Sequence, residues 1–209
     1  MLIAIDGTAA AGKSTLARRI AAHLGVPHLD TGSLYRAVAR DVLKGGHPLT
    51  DAEAAAEAAR NLDPSTLSDP ELRLKGNGEA ASVIAVYPQV RAGLLEFQRN
   101  FAANPKGAVL EGRDIGTVVC PDAPVKIFVS ASAEARAKRR YAELKGYGVD
   151  ITEETVLSEI KERDKRDRER PISPLVPAKD ALLLDTTELD IEKALATALE
   201  LIDKAAGLR

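Results

Sequence analysis

Eight residues near the start of the chain have the types and spacing of a phosphate-binding loop. Gly7 to Ser14 reads Gly-Thr-Ala-Ala-Ala-Gly-Lys-Ser and fits the pattern G-x-x-x-x-G-K-[ST]. Glycines permit backbone angles that other residues resist, so successive N–H groups can converge on phosphate oxygens. Lys13 is then placed to reach the β- and γ-phosphates of a nucleotide, and Ser14 offers a hydroxyl to Mg²⁺. The alternative is an ordinary glycine turn.

A second polar segment, Asp30 to Arg36, could hold the group that accepts a phosphoryl unit. It reads Asp-Thr-Gly-Ser-Leu-Tyr-Arg and follows a short apolar run directly. Ligands of open α/β sheets bind at the carboxyl ends of the strands, so we expect Arg36 to contact a phosphate. Capping of the next helix by Thr31 or Ser33 is the other reading, and the two are compatible.

The segment Glu111 to Asp114, Glu-Gly-Arg-Asp, places more charge at the end of another apolar run. Charged groups that follow a buried strand are costly unless they meet a ligand or a metal-bound water. We therefore expect this segment to lie in a binding site. A surface ion pair between Arg113 and Asp114 is the alternative.

Three arginines share one face of a predicted helix, since Arg136, Arg139 and Arg140 stand at i, i+3 and i+4. A solvated helix face is the usual explanation of such a run. Clustered guanidiniums beside a γ-phosphate would instead neutralise the charge that spreads over it in the transition state.

A denser run of charge occupies residues 159–170. Two i, i+4 pairs that would support a helix can form within it, Glu159 with Arg163 and Glu162 with Arg166. Arg163, Asp167 and Arg170, however, fall at i, i+4 and i+7, on one face that carries two cations around an anion. That face suits a ligand with both phosphate and hydroxyl groups.

Apolar runs of strand length separate these segments from one another. The predicted strands are Leu2–Ile5, Val26–Leu29, Ala108–Leu110, Val125–Val129 and Ala181–Leu184. Helical spacing predicts helices over Lys13–Leu24 and Ser33–Lys44, each followed by glycine. Five strands that alternate with helices imply an α/β fold with a mostly parallel sheet flanked by helices. Residues 63–82 break this rhythm, and the alternation from Leu72 to Lys75 predicts a hairpin in a small insertion.

The composition is that of one globular domain of 209 residues, 45% hydrophobic and 29% charged. A net charge of −2 lacks the basic excess of nucleic-acid binders, so we expect no nucleic-acid partner. No signal peptide or bilayer-spanning run is found, and we expect no membrane partner and a cytoplasmic location. The single cysteine, Cys120, fits a reducing compartment and reads as a buried small hydrophobe, the alternative being a reactive thiol.

Together these segments resemble the bacterial cytidylate kinases of the nucleoside monophosphate kinase family. The resemblance covers nearly the whole chain, through IAIDG, AGKST, LDTGSLYR, ASVIAVYPQVR, EGRDIGTVVCPDAPVKIF and IKERDKRDRERPISPL. It implies a P-loop NTP hydrolase-like fold and a monomer that transfers the γ-phosphate of ATP to CMP or dCMP with Mg²⁺. It also implies a core of about 1–60, 92–135 and 175–209, a nucleoside monophosphate (NMP)-binding insertion of about 61–91 and a lid of about 136–174.

The resemblance also implies roles for single residues. The ATP-binding set would be Gly7, Thr8, Ala9, Ala10, Ala11, Gly12, Lys13, Ser14, Thr15 and Arg139. Around CMP, the cytosine would meet Ser82, Arg91, Asp114 and Arg170; the phosphate would meet Thr31, Tyr35, Arg36 and Arg113; and the sugar would meet Arg163 and Asp167. The catalytic set would be Lys13, Arg113, Arg136 and Arg140. The chain departs from the family at Thr8, where many relatives have proline, and between 75 and 82, where the insertion is shortened.

The cytosine assignment also agrees with elementary chemistry, because the amine of cytosine donates beside two acceptors, which a carboxylate, an arginine and a serine would complement. A phosphate acceptor is already ionised, so no general base is required. Mg²⁺ would be held by Ser14 and by waters that Asp30 or Glu111 orient. Three histidines show no paired arrangement and are expected to be structural or exposed: His23, His28 and His47.

Two other functions compete with this interpretation. A small-molecule hydroxyl kinase would use Asp30 as a base toward an alcohol, although the number of arginines argues against it. A nucleotide-dependent switch without catalysis would need a partner surface in place of a second cluster of phosphate ligands.

Overall fold

A parallel sheet of five strands organises the part of the chain that the structure, a computed structural model, describes: residues 1–74 and 76–207. The strands are β1 (Leu2–Gly7), β2 (His28–Asp30), β3 (Ala108–Gly112), β4 (Val125–Ser130) and β5 (Leu182–Asp185). Their order is β2-β3-β1-β4-β5, and every neighbouring pair is parallel. The predicted α/β class is confirmed, with a sheet that is wholly rather than mostly parallel.

Helices cover both faces of this sheet. They are α1 (Lys13–Leu24), α2 (Thr31–Lys44), α3 (Ala52–Arg60), α4 (Asn77–Ile84), α5 (Pro88–Ala102), α6 (Ala133–Gly146), α7 (Glu153–Glu169) and α8 (Ile191–Ala205). Alternate residues of β1 point to opposite faces: Ala4 packs in the cluster under α2, α3 and α5, and Ile3 and Ile5 pack in the cluster under α1 and α8. Within the described ranges, no helix is both long and apolar enough to cross a membrane.

The second strand starts two residues later than its apolar pattern predicts. Gly25 ends α1 in the left-handed conformation, with φ 65°, and the Val26 N–H donates to the Ala21 carbonyl at 3.0 Å. Val26 therefore belongs to the turn that closes the helix, and Pro27 has no N–H to give to a strand. β2 is consequently only His28–Asp30.

The predicted hairpin within residues 63–82 is wrong. The described residues there form two 3-10 helices, Pro64–Ser68 and Pro70–Arg73, followed by α4. Each 3-10 helix begins with an aspartate that caps it and a proline in its first turn: the Asp63 carboxylate accepts from the Ser65 N–H, and Asp69 accepts from the Glu71 N–H. Asp-Pro pairs thus start helical turns and outweigh the short alternation that follows. Lys75, the last residue of that alternation, lies outside the described residues.

The antiparallel pair α6–α7 has a hydrophobic core of its own. Residues of both helices and of the loop that joins them form it: Ala137, Leu144, Ile151, Val156 and Ile160. Ala10, in the glycine loop after β1, packs against this cluster. The α6–α7 arm therefore rests directly on the predicted phosphate-binding loop.

Candidate active site

A cleft of about 580 Å³ opens at the carboxyl ends of β1, β2 and β3. The loop between β1 and α1 forms one wall. The opposite wall is built from the starts of α2 and α5, the end of β3, helix α4 and the carboxyl-terminal part of α7. The three polar segments singled out in the sequence thus meet in one space, as expected for an open α/β sheet.

The loop of residues 7–14 has the backbone of a phosphate cradle. Gly7 passes so close to β4 that an added Cβ would lie 1.9 Å from the Val129 carbonyl oxygen. Gly12 has φ +85° and stands at the N-cap of α1, where no side chain caps the helix. The N–H groups of the first turn of α1 therefore remain available to an anion.

Lys13 is buried beneath the loop, and its Nζ donates to the Thr8 carbonyl at 2.8 Å. Burial, with a smaller contribution from the Arg113 guanidinium, lowers the pKa of Lys13 to about 7, although Glu111 and Asp30 oppose the shift. A phosphate bound at the loop would raise the pKa of Lys13 again, because it places negative charge beside the ammonium.

Ser14 lies beside an acidic side chain of the neighbouring strand β3. Its Oγ donates to Glu111 Oε2 at 2.9 Å, and Glu111 is only 2% exposed. No three His, Cys, Asp or Glu side chains of residues 1–74 and 76–207 cluster so as to hold a metal by themselves. A hydroxyl ligand with nearby carboxylates that accept from bound water is a set of hard oxygen groups, and it fits Mg²⁺.

His28, expected to be structural or exposed, is partly buried and lies beside an acidic side chain. Its Nε2 is 3.1 Å from Oε1 of Glu111, which stands on the neighbouring strand β3. The sequence contained a signal that His28 lies near the acidic site. His28 stands two residues before Asp30, and side chains two apart in a strand share a face.

The start of α2 is held by side-chain contacts that do not cap the helix, and the predicted capping by Thr31 or Ser33 is wrong. Asp30 is the N-cap residue, but its carboxylate pairs with Arg36, Oδ2 to Nη2 at 2.7 Å. Thr31 Oγ1 donates to the Glu111 carbonyl at 2.7 Å, and Ser33 Oγ donates back to the Asp30 carbonyl at 2.6 Å. Burial would raise the pKa of Asp30, but the Arg36 guanidinium holds it below its ordinary value.

Carboxylates hold the arginines of the opposite wall. Asp114 pairs with Arg91, and Arg113 Nε donates to Asp167 Oδ2 at 3.0 Å, so the alternative surface pair of Arg113 with Asp114 is wrong. Ser82 Oγ also donates to Asp167, at 3.2 Å. Burial would raise the pKa of Asp167, yet the neighbouring guanidiniums, Arg113 first, keep it below its ordinary value.

Tyr35 completes this wall as an aromatic support. The Arg91 guanidinium lies over its ring, 5.7 Å from the centroid. Burial raises the pKa of Tyr35 to about 12, so its hydroxyl remains a hydrogen-bond donor.

Three buried guanidinium nitrogens on this wall lack a hydrogen-bond partner among the described residues: Arg36 Nε, Arg163 Nε and Arg170 Nη2. Arg163 Nε lies 4.0 Å from Asp167 Oδ2, too far for a hydrogen bond. Burial lowers the pKa of Arg163 to about 10, with the nearby Arg113 adding to the effect. Buried donors without acceptors are costly, and three together indicate that a ligand supplies the missing oxygens.

The three arginines of α6 have different surroundings. Arg136 is buried and forms two hydrogen bonds with Asp164, at 2.6 and 3.0 Å; it also donates to the carbonyls of Ala131 and Ala9. The solvated-face alternative is wrong for Arg136, which braces the loop at Ala9. Arg139 and Arg140 line the cleft, where Arg139 donates to Thr186 and Arg140 pairs with Glu143 at 2.7 Å.

Helix α7 contacts α4 across the cleft. Arg166 pairs with Glu79 of α4, and it also lies 3.7 Å from Glu162, one of the two predicted i, i+4 pairs. A Cβ added at Gly78 would stand 3.0 Å from Arg163 Nη1. The guanidinium of Arg163 therefore packs closely over Gly78.

Cys120 lies away from this chemistry. It is buried in the cluster under α2 and α5, and burial raises the pKa of its thiol. The interpretation as a small hydrophobe is confirmed.

The fold and the cleft define a P-loop phosphotransferase: a strand–loop–helix cradle that contains Lys13 faces a second wall rich in arginine. The sequence matches the cytidylate kinase family over residues 3–204, and the chain belongs to that family.

Curated relatives agree with this family. A cytidylate kinase of Rhodopseudomonas palustris (strain TIE-1) is 57% identical over 210 residues, covering 100% of this chain and 99% of the relative. A cytidylate kinase of Xanthobacter autotrophicus (strain ATCC BAA-1158 / Py2) is 58% identical over 203 residues, covering 97% of each chain.

Solved structures share the fold at low identity. A gluconokinase from Sinorhizobium meliloti 1021 superposes with a TM-score of 0.52 at 17% identity, covering 99% of this chain and 94% of the other. An uncharacterized protein from Eubacterium ventriosum ATCC 27560 gives a TM-score of 0.56 at 18% identity, covering 97% and 98%.

Proposed function

We propose that this cleft is where the γ-phosphate of ATP passes directly and in line to CMP or dCMP, giving ADP and CDP or dCDP. The assignment rests on one observation: a single cleft is lined on one side by the glycine loop and on the other by arginine side chains. The cradle with Lys13 suits a nucleotide triphosphate, and the buried, unpartnered guanidinium nitrogens opposite suit a second phosphorylated ligand.

On the donor wall, the backbone of residues 7–15 binds the phosphates of ATP, with Lys13 on the β- and γ-phosphates. Arg139 and Arg140 line the same side of the cleft and neutralise charge on the transferred group. Arg136 has its guanidinium committed to Asp164 and the Ala9 carbonyl, which supports a catalytic contribution through the shape of the loop.

On the acceptor wall, Arg36 and Arg113 bind the phosphate of CMP, with Thr31 and Tyr35 beside it. Asp30 holds Arg36 and Asp167 holds Arg113, so both guanidiniums are oriented before the substrate arrives. Preorganised charge costs no reorganisation when the reaction occurs.

The nucleoside of CMP lies deeper along the same wall. Arg163 and Asp167 meet the sugar hydroxyls, while four side chains surround the cytosine: Ser82, Arg91, Asp114 and Arg170. Asp114 accepts from the exocyclic amine of cytosine, a donor that uracil lacks. Uracil would place a carbonyl oxygen against that carboxylate and leave Arg91 as its partner in place of two donors, which is the physical basis for discrimination.

Mg²⁺ would be held by the Ser14 hydroxyl and by waters that Asp30 or Glu111 orients. The cation would supply positive charge against the transferring phosphates. The protein itself supplies position and positive charge, and it needs no general base because the attacking oxygen is already ionised.

The three parts of the chain then have distinct duties. Residues of about 1–60, 92–135 and 175–209 form the core, about 61–91 the NMP-binding insertion, and about 136–174 a lid that excludes water from the reaction. We propose that the protein acts as a cytoplasmic monomer on small molecules, without a nucleic-acid or membrane partner.

Coupled ADP release, measured with ATP and Mg²⁺ across CMP, dCMP, UMP, AMP, GMP and shikimate, tests the proposal. Turnover should be fastest with CMP and dCMP. Turnover with shikimate alone would indicate a hydroxyl kinase. Tight ATP binding with no turnover of any acceptor would indicate a nucleotide-dependent switch, and either result would refute the proposal.

A further inference from the structure

The carboxylate of Glu111 is fixed by two partners from two different elements. Ser14, in the first turn of α1, donates to Oε2 at 2.9 Å, and His28 of β2 lies 3.1 Å from Oε1. Because a carboxylate group only accepts, the His28 Nε2 is the donor of this bond. Each oxygen of Glu111 therefore has its own donor.

The backbone of Glu111 is also fixed by its neighbours. The orientation of the Glu111 carboxylate therefore depends on Ser14 and His28. Glu111 pairs with Ile5 of β1 on one side and with Asp30 of β2 on the other. Thr31 Oγ1 adds a hydrogen bond to the Glu111 carbonyl at 2.7 Å. What stays adjustable is the direction of the side chain.

One of the two partners has a second duty. In the proposed function a lone pair of Ser14 Oγ binds Mg²⁺, while its O–H still donates to Glu111 Oε2. That bond alone would let the buried carboxylate turn about Oε2, and His28 is the second donor, which fixes Oε1.

We propose that His28 is a positioning residue for the magnesium site: its Nε2–H holds Glu111 Oε1 so that Oε2 stays directed at Ser14 and the waters of the cation. This inference rests on the proposed function. His28 touches neither substrate nor metal in this scheme and acts through Glu111 alone. Partners of this kind orient the groups that hold a metal, and their loss weakens metal affinity by about 10- to 100-fold.

Three substitutions at position 28 separate positioning from packing. His28→Gln places an amide nitrogen near the position of Nε2 and keeps the donor. His28→Asn has the same amide group but is one methylene shorter. His28→Phe keeps the ring volume and removes the donor. His47→Phe is the matched control, because His47 pairs with Asp51 on an exposed part of the chain.

The measurement is ATP binding by titration calorimetry, in EDTA and at a series of Mg²⁺ concentrations. We expect ATP affinity in EDTA to change less than about twofold in every variant. The Mg²⁺ concentration that gives half of the full metal effect should rise about tenfold in His28→Phe and His28→Asn, and less than about threefold in His28→Gln and His47→Phe.

Two results would overturn the inference. One is an unchanged Mg²⁺ requirement in both His28→Phe and His28→Asn; the other is an equal loss of ATP affinity with and without Mg²⁺, which indicates a packing role. If His28→Phe does not fold, the comparison of Gln with Asn decides alone. Failure of the proposed function would appear differently, as a wild-type protein whose ATP affinity ignores Mg²⁺ or that does not phosphorylate CMP.

Discussion

The two walls of the cleft stabilise their buried cations in different ways. On the donor wall, Lys13 donates to the Thr8 carbonyl of the glycine loop, and Arg136 donates to the Ala9 carbonyl in addition to its pair with Asp164. On the acceptor wall, Arg36, Arg91 and Arg113 each pair with a carboxylate. Both of these donor-wall cations thus contact the loop backbone, whereas the three acceptor-wall cations are held by side-chain carboxylates.

This difference indicates how each wall meets its ligand. A guanidinium held by a carboxylate keeps a fixed direction and can leave other N–H groups for a substrate, as Arg36 does. Lys13, by contrast, must exchange its carbonyl for a phosphate oxygen. The acceptor wall is therefore preorganised, and the donor wall rearranges on binding.

The largest expected effect comes from removing the donor wall's lysine. Lys13→Ala should lower kcat with ATP and CMP by more than about 10³-fold, because no other side chain replaces the ammonium on the transferred phosphate. Steady-state ADP release measures it. Lys126→Ala is the matched control, a buried lysine that pairs with Asp180 away from the cleft. A kcat within tenfold of wild type in Lys13→Ala would remove Lys13 from the donor wall.

Removing the partner of Arg136 tests the bracing of the loop. Asp164→Asn leaves a buried guanidinium without its counter-charge and should reduce the free energy of unfolding by about 3 kcal/mol, measured by urea denaturation. Glu143→Gln, which disturbs the more exposed pair with Arg140, should cost less than about 1 kcal/mol. Equal costs in the two variants would contradict a structural role for the Arg136–Asp164 pair.

The acceptor wall should respond in a substrate-specific way. Arg170→Ala should lower kcat/KM for CMP by about 100-fold, roughly 2.7 kcal/mol, and leave the KM for ATP unchanged. Arg168→Ala, two residues earlier on the exposed side of α7, should behave as wild type. Unchanged CMP kinetics in Arg170→Ala would show that the acceptor site has been placed wrongly.

The smallest expected effect concerns Asp6, which links the end of β1 to the turn that follows β3. Its carboxylate accepts from the N–H groups of Ile115 and Gly116, at 2.7 Å each, in the π-helical turn Ile115–Val119 that follows β3. Burial raises the pKa of Asp6 to about 6 in the folded protein, against the N–H groups that lower it. The folded state therefore binds a proton more readily than the unfolded state between the ordinary pKa of 3.8 and about 6.

Protonation of Asp6 consequently adds to the free energy of unfolding as pH falls through 6, and this contribution is lost as pH rises. Wild type should gain about 1 kcal/mol relative to Asp6→Asn between pH 7 and pH 5, measured by urea denaturation at both values. Asp122→Asn, at an exposed position, should track wild type. Parallel pH profiles of wild type and Asp6→Asn would contradict the raised pKa.

Local patterns predicted the elements, and contacts between distant residues set most of the site's detail. The loop with Lys13 and helix α1 follow from contiguous residues, so spacing alone identified them. The partners of Arg136 and His28 are 28 and 83 residues away, and no spacing rule connects residues so far apart. The predicted hairpin, by contrast, is wrong for a local reason. Capping by Asp63 and Asp69 starts two helical turns, and it outweighs the weak alternation that suggested strands.

The close approach of α4 to α7 has a consequence for the passage of substrates. An added Cβ at Gly78 would stand 3.0 Å from the Arg163 guanidinium. The helices are joined by the partly exposed pair of Arg166 with Glu79, and by the buried hydrogen bond from Ser82 Oγ to Asp167 Oδ1 at 3.2 Å. An exposed ion pair contributes about 0 to 1 kcal/mol and weakens as salt rises, and a single hydrogen bond contributes about 0.5 to 1.5 kcal/mol. The two helices can therefore separate at a much smaller cost in free energy than unfolding of the chain, which would let nucleotides enter and leave the cleft.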